Sequence, residues 1–194
     1  KLSKPVKPIC FYIDDAFPVE WKNAIKQGVE LWNKAFEQAG YQKTIEALDF
    51  PKNDHNFDAD DIAYSCIRYV PSTAEKVTSS FLANPQTGEI INASVFVPAN
   101  VGDQIYRWLF LGSAASDATM RTSHLPQDKF NQGLKYMVAC EVGRSLGLLD
   151  NIGASYSYPV DSLRNSTFTH TNNLAASIMA NTPFNYVAQP SDKG

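Results

Sequence analysis

Between Glu20 and Gly40 the apolar residues Trp21, Ile25, Val29, Trp32, Phe36 and Ala39 fall four, four, three, four and three apart. That spacing draws one apolar stripe along a single long helix over 20–40, with Gly40 as its stop. A helix that is apolar on one face has to lay that face on a second layer, and the rest of the chain supplies candidates for it. Short apolar runs at Pro8–Asp14, Thr44–Leu48 and Asp61–Val70 read as strands. Thr78–Ala83 and Glu89–Phe96 flank Asn84-Pro-Gln-Thr-Gly88, a hairpin turn by its residue types. A polar, Asp-rich loop covers 51–60, and a helix over 103–115 carries Ile105, Trp108 and Leu109 on one side. Phe130, Leu134, Met137, Val138, Val142 and Leu146 mark another helix over 127–146, stopped by Gly147. Beyond it the chain is rich in Ser, Asn and Thr and has no strong period. Strand, helix, strands, helix and a loop-rich tail predict a mixed α/β (α+β) fold.

Composition narrows the function. With 194 residues the chain fits one domain, 1–194, that buries about 70% of its unfolded surface. A net charge of −3 leaves no electrostatic footprint for nucleic acid or an anionic membrane. No apolar run nears the roughly 20 residues of a membrane-spanning helix. Cys10, Cys66 and Cys140 are odd in number and far apart, so they form no disulfide framework and no C-x-x-C pair. The Trp and Tyr positions read as core, and no motif dedicated to carbohydrate is present. Lys1 in place of a Met suggests a trimmed segment of a longer product.

Chemistry concentrates at Cys140-Glu-Val-Gly-Arg-Ser-Leu-Gly-Leu-Leu-Asp150. This has the frame of the zinc-peptidase motif H-E-x-x-H-x-x-G-x-x-H, with Cys140, Arg144 and Asp150 at the three histidine positions. Glu141, the general-base position, and Gly147, the turn, are retained. On a helix, 140 and 144 share a face, and Gly147 lets 150 return towards them. Further matching segments are Phe11-Tyr-Ile-Asp14, Trp21 with Gly28 and Trp32-Asn-Lys-Ala-Phe36, and Thr87-Gly-Glu-Ile90. Tyr158-Pro-Val-Asp-Ser-Leu-Arg164 and Ser177-Ile-Met179 complete the set. In order and spacing the chain resembles the metzincin-like zinc peptidases, and more closely a secreted bacterial group in which the domain sits inside a longer polypeptide.

The resemblance implies a zincin fold: a twisted sheet of four or five mostly parallel strands with one antiparallel edge strand, a long backing helix and an active-site helix. It places Met179 in a Met-turn beneath residues 140 and 144. It implies a cleft edged by Ser79, Ser80, Phe81 and Leu82 and walled by Pro183, Phe184, Asn185 and Tyr186, where an extended peptide or protein segment adds as a strand. It also implies a secreted, periplasmic or cell-surface location and a C-terminal continuation, because the chain stops about 15 residues after Met179.

The ligand substitutions bear on activity. Zinc bound by Cys140, Asp150 and a recruited third ligand is the alternative, an active metalloendopeptidase. Arg144 opposes it, because a guanidinium has no lone pair and stays protonated. At about 4 Å from a divalent ion, with an effective dielectric near 20, it would cost about 8 kcal/mol. Glu141 without a metal supplies only general-base help, roughly 10²–10⁴-fold. His55, His124 and His170 are the available bases for a thiol enzyme at Cys140, and the motif brings none of them to it. The expectation is a catalytically inactive pseudo-peptidase with no cofactor, in which Arg144 occupies the zinc void. It should pair with Asp150, or with Glu141, in a buried and bidentate contact.

Overall fold

In the computed structural model, which describes residues 1–192, five strands form one sheet in the order β2-β1-β3-β5-β4. The strands are β1 Ile9–Ile13, β2 Ile45–Asp49, β3 Ser65–Val70, β4 Thr78–Ala83 and β5 Ile90–Pro98. β1 runs parallel to β2 and β3, and β3 parallel to β5, while β4 is antiparallel to β5 and forms one edge. This is a mixed α/β architecture consistent with a zincin-like fold, as the resemblance implied. The hairpin closes at 84–88, where Gly88 N–H donates to the Asn84 carbonyl at 2.8 Å and Asn84 N–H to that of Glu89 at 2.8 Å.

Alternation along the strands decides which face the helices cover. Phe11 and Ile13 of β1, Ile67 of β3 and Val95 and Val97 of β5 are buried in one core. That core also takes Ile25 and Val29 from helix α1 (Val19–Glu30) and Leu134, Val138 and Val142 from helix α4 (Gln127–Ser145). Helix α3 (Val101–Ser113) adds Val101 and Ile105. The Asp-rich loop is more than a connection. Its Phe57 packs on Tyr12 and Tyr64 at ring separations of 5.2 and 4.7 Å, and on Phe50 at 4.9 Å, over part of the sheet's second face.

The expected single helix over 20–40 is two helices, α1 and α2 (Asn33–Gln38). Between them the backbone tightens to three-residue spacing, with Trp32 N–H donating to Val29 and Lys34 N–H to Leu31. Two side chains draw the chain aside there. Trp32 Nε1 donates to the Ala139 carbonyl on α4 at 2.9 Å. Asn33 donates to the Ile45 carbonyl at 2.8 Å and accepts from Thr44 and Ile45 N–H at 2.9 and 3.1 Å, tying the helix to the start of β2. The apolar period runs on through this break because both pieces face the same core. The first residues of the expected strand over 61–70 instead form a turn, since Asp61 accepts from Ala63 N–H at 2.8 Å and from Tyr64 N–H at 3.1 Å. The tail contains two short helices, α5 (Val160–Leu163) and α6 (Ser166–Asn172), within otherwise irregular chain.

Candidate functional site

The last two turns of α4 carry Cys140, Glu141 and Arg144. The helix ends at Ser145, and Gly147 then adopts φ 87°, a left-handed conformation that a side chain would strain. That turn brings Asp150 back to the helix. The Arg144 guanidinium bridges two carboxylates with its two edges. Nη1 donates to Glu141 Oε1 at 2.5 Å, while Nη2 and Nε donate to Asp150 Oδ1 at 2.6 and 3.1 Å. The contact to Asp150 converges on one oxygen and is not the two-oxygen fork expected from the sequence, because Nη1 is turned to Glu141. Its surroundings also differ from a buried pair, since Asp150 is 48% exposed and Arg144 30%, whereas Glu141 is only 8% exposed.

Glu141 is held on both oxygens. Oε2 accepts from the Ser79 hydroxyl at 2.7 Å, so β4 reaches across to the helix through one side chain. Nothing in the periodicity of β4 marks Ser79 as a partner of Glu141. The signal available was only that a small polar residue lies on the edge strand beside a retained glutamate. We expect Ser79→Ala to lower stability by roughly 1.5–3 kcal/mol, the range for a hydrogen bond to a charged group, read from the urea midpoint at constant slope. An unchanged midpoint would show that water replaces the hydroxyl.

Cys140 turns away from this pair and donates from Sγ to the Ile178 carbonyl at 3.5 Å. Burial pushes its thiol up to about 11. Met179 is buried under the helix: a Cβ on Gly143 would lie 2.6 Å from its sulfur and 2.5 Å from Cζ2 of Trp32, so only glycine lets the turn at Ile178–Ala180 approach α4 this closely. The turn is pinned by Asn151 N–H donating to the Met179 carbonyl at 2.8 Å.

Lys76, Val77, Thr78, Ser79, Ser80 and Phe81 border an open cleft of about 470 Å³ whose other side is Glu141, Arg144 and Asp150. Phe81 and Leu82 are half exposed on the edge strand. Pro183–Tyr186 do not border this cleft. Pro183 borders a different cavity, Phe184 packs on Gly112 of α3, Asn185 donates to the Leu163 carbonyl at 2.6 Å, and Tyr186 is largely exposed. Order along the chain placed these four opposite β4, but the short helices of the tail carry the segment to the α3 side. His55, His124 and His170 are exposed, and none borders the cleft.

The residues at the three ligand positions do not fit zinc. A metal needs lone pairs from deprotonated donors. One position offers a thiol directed at a carbonyl, the second a guanidinium, and the third a carboxylate engaged by that guanidinium. Among the described residues no group of three His, Cys, Asp or Glu is arranged to hold a metal.

Residues 122–194 match a protein family described as Met-zincin, a span that contains α4, the post-helix turn and Met179. No curated protein and no solved structure matched the chain.

Proposed function

Because the chain carries a metzincin-like domain, we propose that it works as a pseudo-peptidase, which keeps the peptide cleft and lacks metal-dependent hydrolysis. The observation that carries this reading is the Arg144 bridge between Glu141 and Asp150. A fixed protein cation takes the place where a peptidase of this kind holds its metal. The bridge also silences the general base, since one Glu141 oxygen is committed to Arg144 and the other to Ser79. A water approaching this carboxylate would have to displace Arg144 or Ser79 from the oxygen it addresses. Hydrolysis without a metal would also lack the polarised carbonyl and the acidified water that the family chemistry needs.

Peptide binding is still available to such a domain. Among the described residues the outer edge of β4 has no strand beside it, and Ser79–Leu82 present backbone donors and acceptors there next to exposed Phe81 and Leu82. An extended peptide or protein segment adding to that edge would gain ladder hydrogen bonds and two apolar contacts. In this reading the domain is a recognition or structural module of a larger exported polypeptide and uses no cofactor.

Protein purified without chelator, incubated with zinc and desalted should retain no stoichiometric metal. Casein and quenched-peptide assays with added zinc should show no turnover above blank. One retained equivalent of zinc together with turnover abolished by 1,10-phenanthroline would overturn the reading.

A further inference from the structure

A second cavity, of about 860 Å³, lies away from the cleft against the first half of α4. Its walls come from the α1–α2 junction, α3, α4 and the tail between Tyr158 and Pro183. Trp32, Trp108, Tyr136 and Tyr158 contribute ring surface to it. Trp32, Trp108 and Tyr136 each pack on the core on one side, so their orientation is fixed. The volume falls within the roughly 300–1,000 Å³ of small-molecule sites, and a mainly apolar wall with a few placed polar groups is their usual character.

The charge of the wall is one-sided. Lys34, Lys129 and Lys135 border the cavity, no Asp or Glu does, and none of the three lysines makes an ion pair among the described residues. In a chain with more acids than bases, 20 against 17, an acid-free wall with three cations departs from the average surface. Asp117, whose field Lys129 shares, is engaged with Thr119 outside the cavity. Two further features lie beside the same space. The Tyr136 hydroxyl is buried, and although Cys140 and Thr182 lie near it, neither meets it with hydrogen-bonding geometry. It has no hydrogen-bond partner among the described residues, and it is sealed from the cavity as well as from solvent. Asn173, on the wall, holds φ 60° and ψ −165°, a conformation rare outside glycine and frequent at ligand sites.

We propose that this cavity binds an organic anion with an aromatic or apolar body, the body lying against Trp32 and Trp108 and the acidic group facing the three lysines. The site is independent of the pseudo-peptidase reading, because it shares no residue with the cleft.

Two naphthalene probes test it. 8-Anilinonaphthalene-1-sulfonate and N-phenyl-1-naphthylamine share one body and differ by the sulfonate. The sulfonate should bind at one equivalent, roughly tenfold or more tighter than the neutral probe, and quench tryptophan emission by energy transfer. Lys34→Glu, Lys129→Glu and Lys135→Glu together should weaken the sulfonate by roughly tenfold and the neutral probe by less than about threefold. Ala35→Trp, which fills the cavity without changing charge, should weaken both, and it keeps the test decisive if the charge variant fails to fold. Equal affinity for the two probes, no saturable binding below about 1 mM, or sulfonate binding unaltered by Ala35→Trp would overturn the proposal.

Discussion

Arg144→Met should lower the stability of the fold by about 3–5 kcal/mol at neutral pH, the cost of leaving a buried carboxylate without its cation. The stranded member is Glu141, which is 8% exposed and would keep only Ser79 as a partner. For a chain of this size that corresponds to a fall in Tm of roughly 6–20 °C. The two carboxylates are not equivalent in this respect. Asp150 is 48% exposed, so water takes up its charge when the guanidinium is lost, and Asp150→Ala should cost no more than about 1 kcal/mol. A compensating variant separates charge from packing. With Glu141→Gln added to Arg144→Met, the helix face carries no charge and the amide can still meet Ser79, so most of the loss should be recovered. If Arg144→Met costs no more than Asp150→Ala, or if Glu141→Gln brings no recovery, the guanidinium is not what holds Glu141.

The layers of the fold were legible because each rests on a repeated pattern. Three apolar runs and a hairpin specified the five strands, and the 3.6-residue period of Leu134, Met137, Val138 and Val142 specified α4. What periodicity hides is a break that keeps the same face. Trp32 and Asn33 end α1 through hydrogen bonds to α4 and β2, which are long-range contacts that no local spacing encodes. The site was legible in part for the same reason. Positions 140, 141 and 144 follow from helical spacing, and the return of Asp150 follows from glycine at 147. The Ser79 contact to Glu141 depends on how the edge strand sits beside the helix, and Pro183–Tyr186 depend on a tail with no period at all. Reading Trp32 and Trp108 as core was true of one face of each ring. The other face borders a cavity that exists only once the tail is folded against α3 and α4.

Replacing Cys140, Arg144 and Asp150 by histidine should give a protein that binds one equivalent of zinc. Residues 140 and 144 lie one helical turn apart on the same face, and the left-handed turn at Gly147 already brings residue 150 within 2.6 Å of the residue 144 side chain. Helical spacing and the return of the chain at Gly147 therefore put the three positions at one end of α4, and what bars a metal there is the chemistry of the side chains. Substituting Arg144 removes the obstructing cation and frees Glu141 from one of its two donors. Three neutral imidazoles then supply a tetrahedral site with one open position. The gain is large because full zinc sites are worth roughly 10–16 kcal/mol at neutral pH. At zinc concentrations about 100 times the dissociation constant the folded state should gain about 2.7 kcal/mol, visible as a zinc-dependent rise in Tm that the parent lacks. The double variant Cys140→His with Asp150→His, which keeps Arg144, should bind far more weakly. Its guanidinium would stand about 4 Å from the ion and cost about 8 kcal/mol at an effective dielectric near 20. A triple variant that folds with the parent's circular dichroism and still takes up no zinc would mean that the positions are not arranged as a ligand frame. The reading of Arg144 as a substitute for the metal would then fail with it.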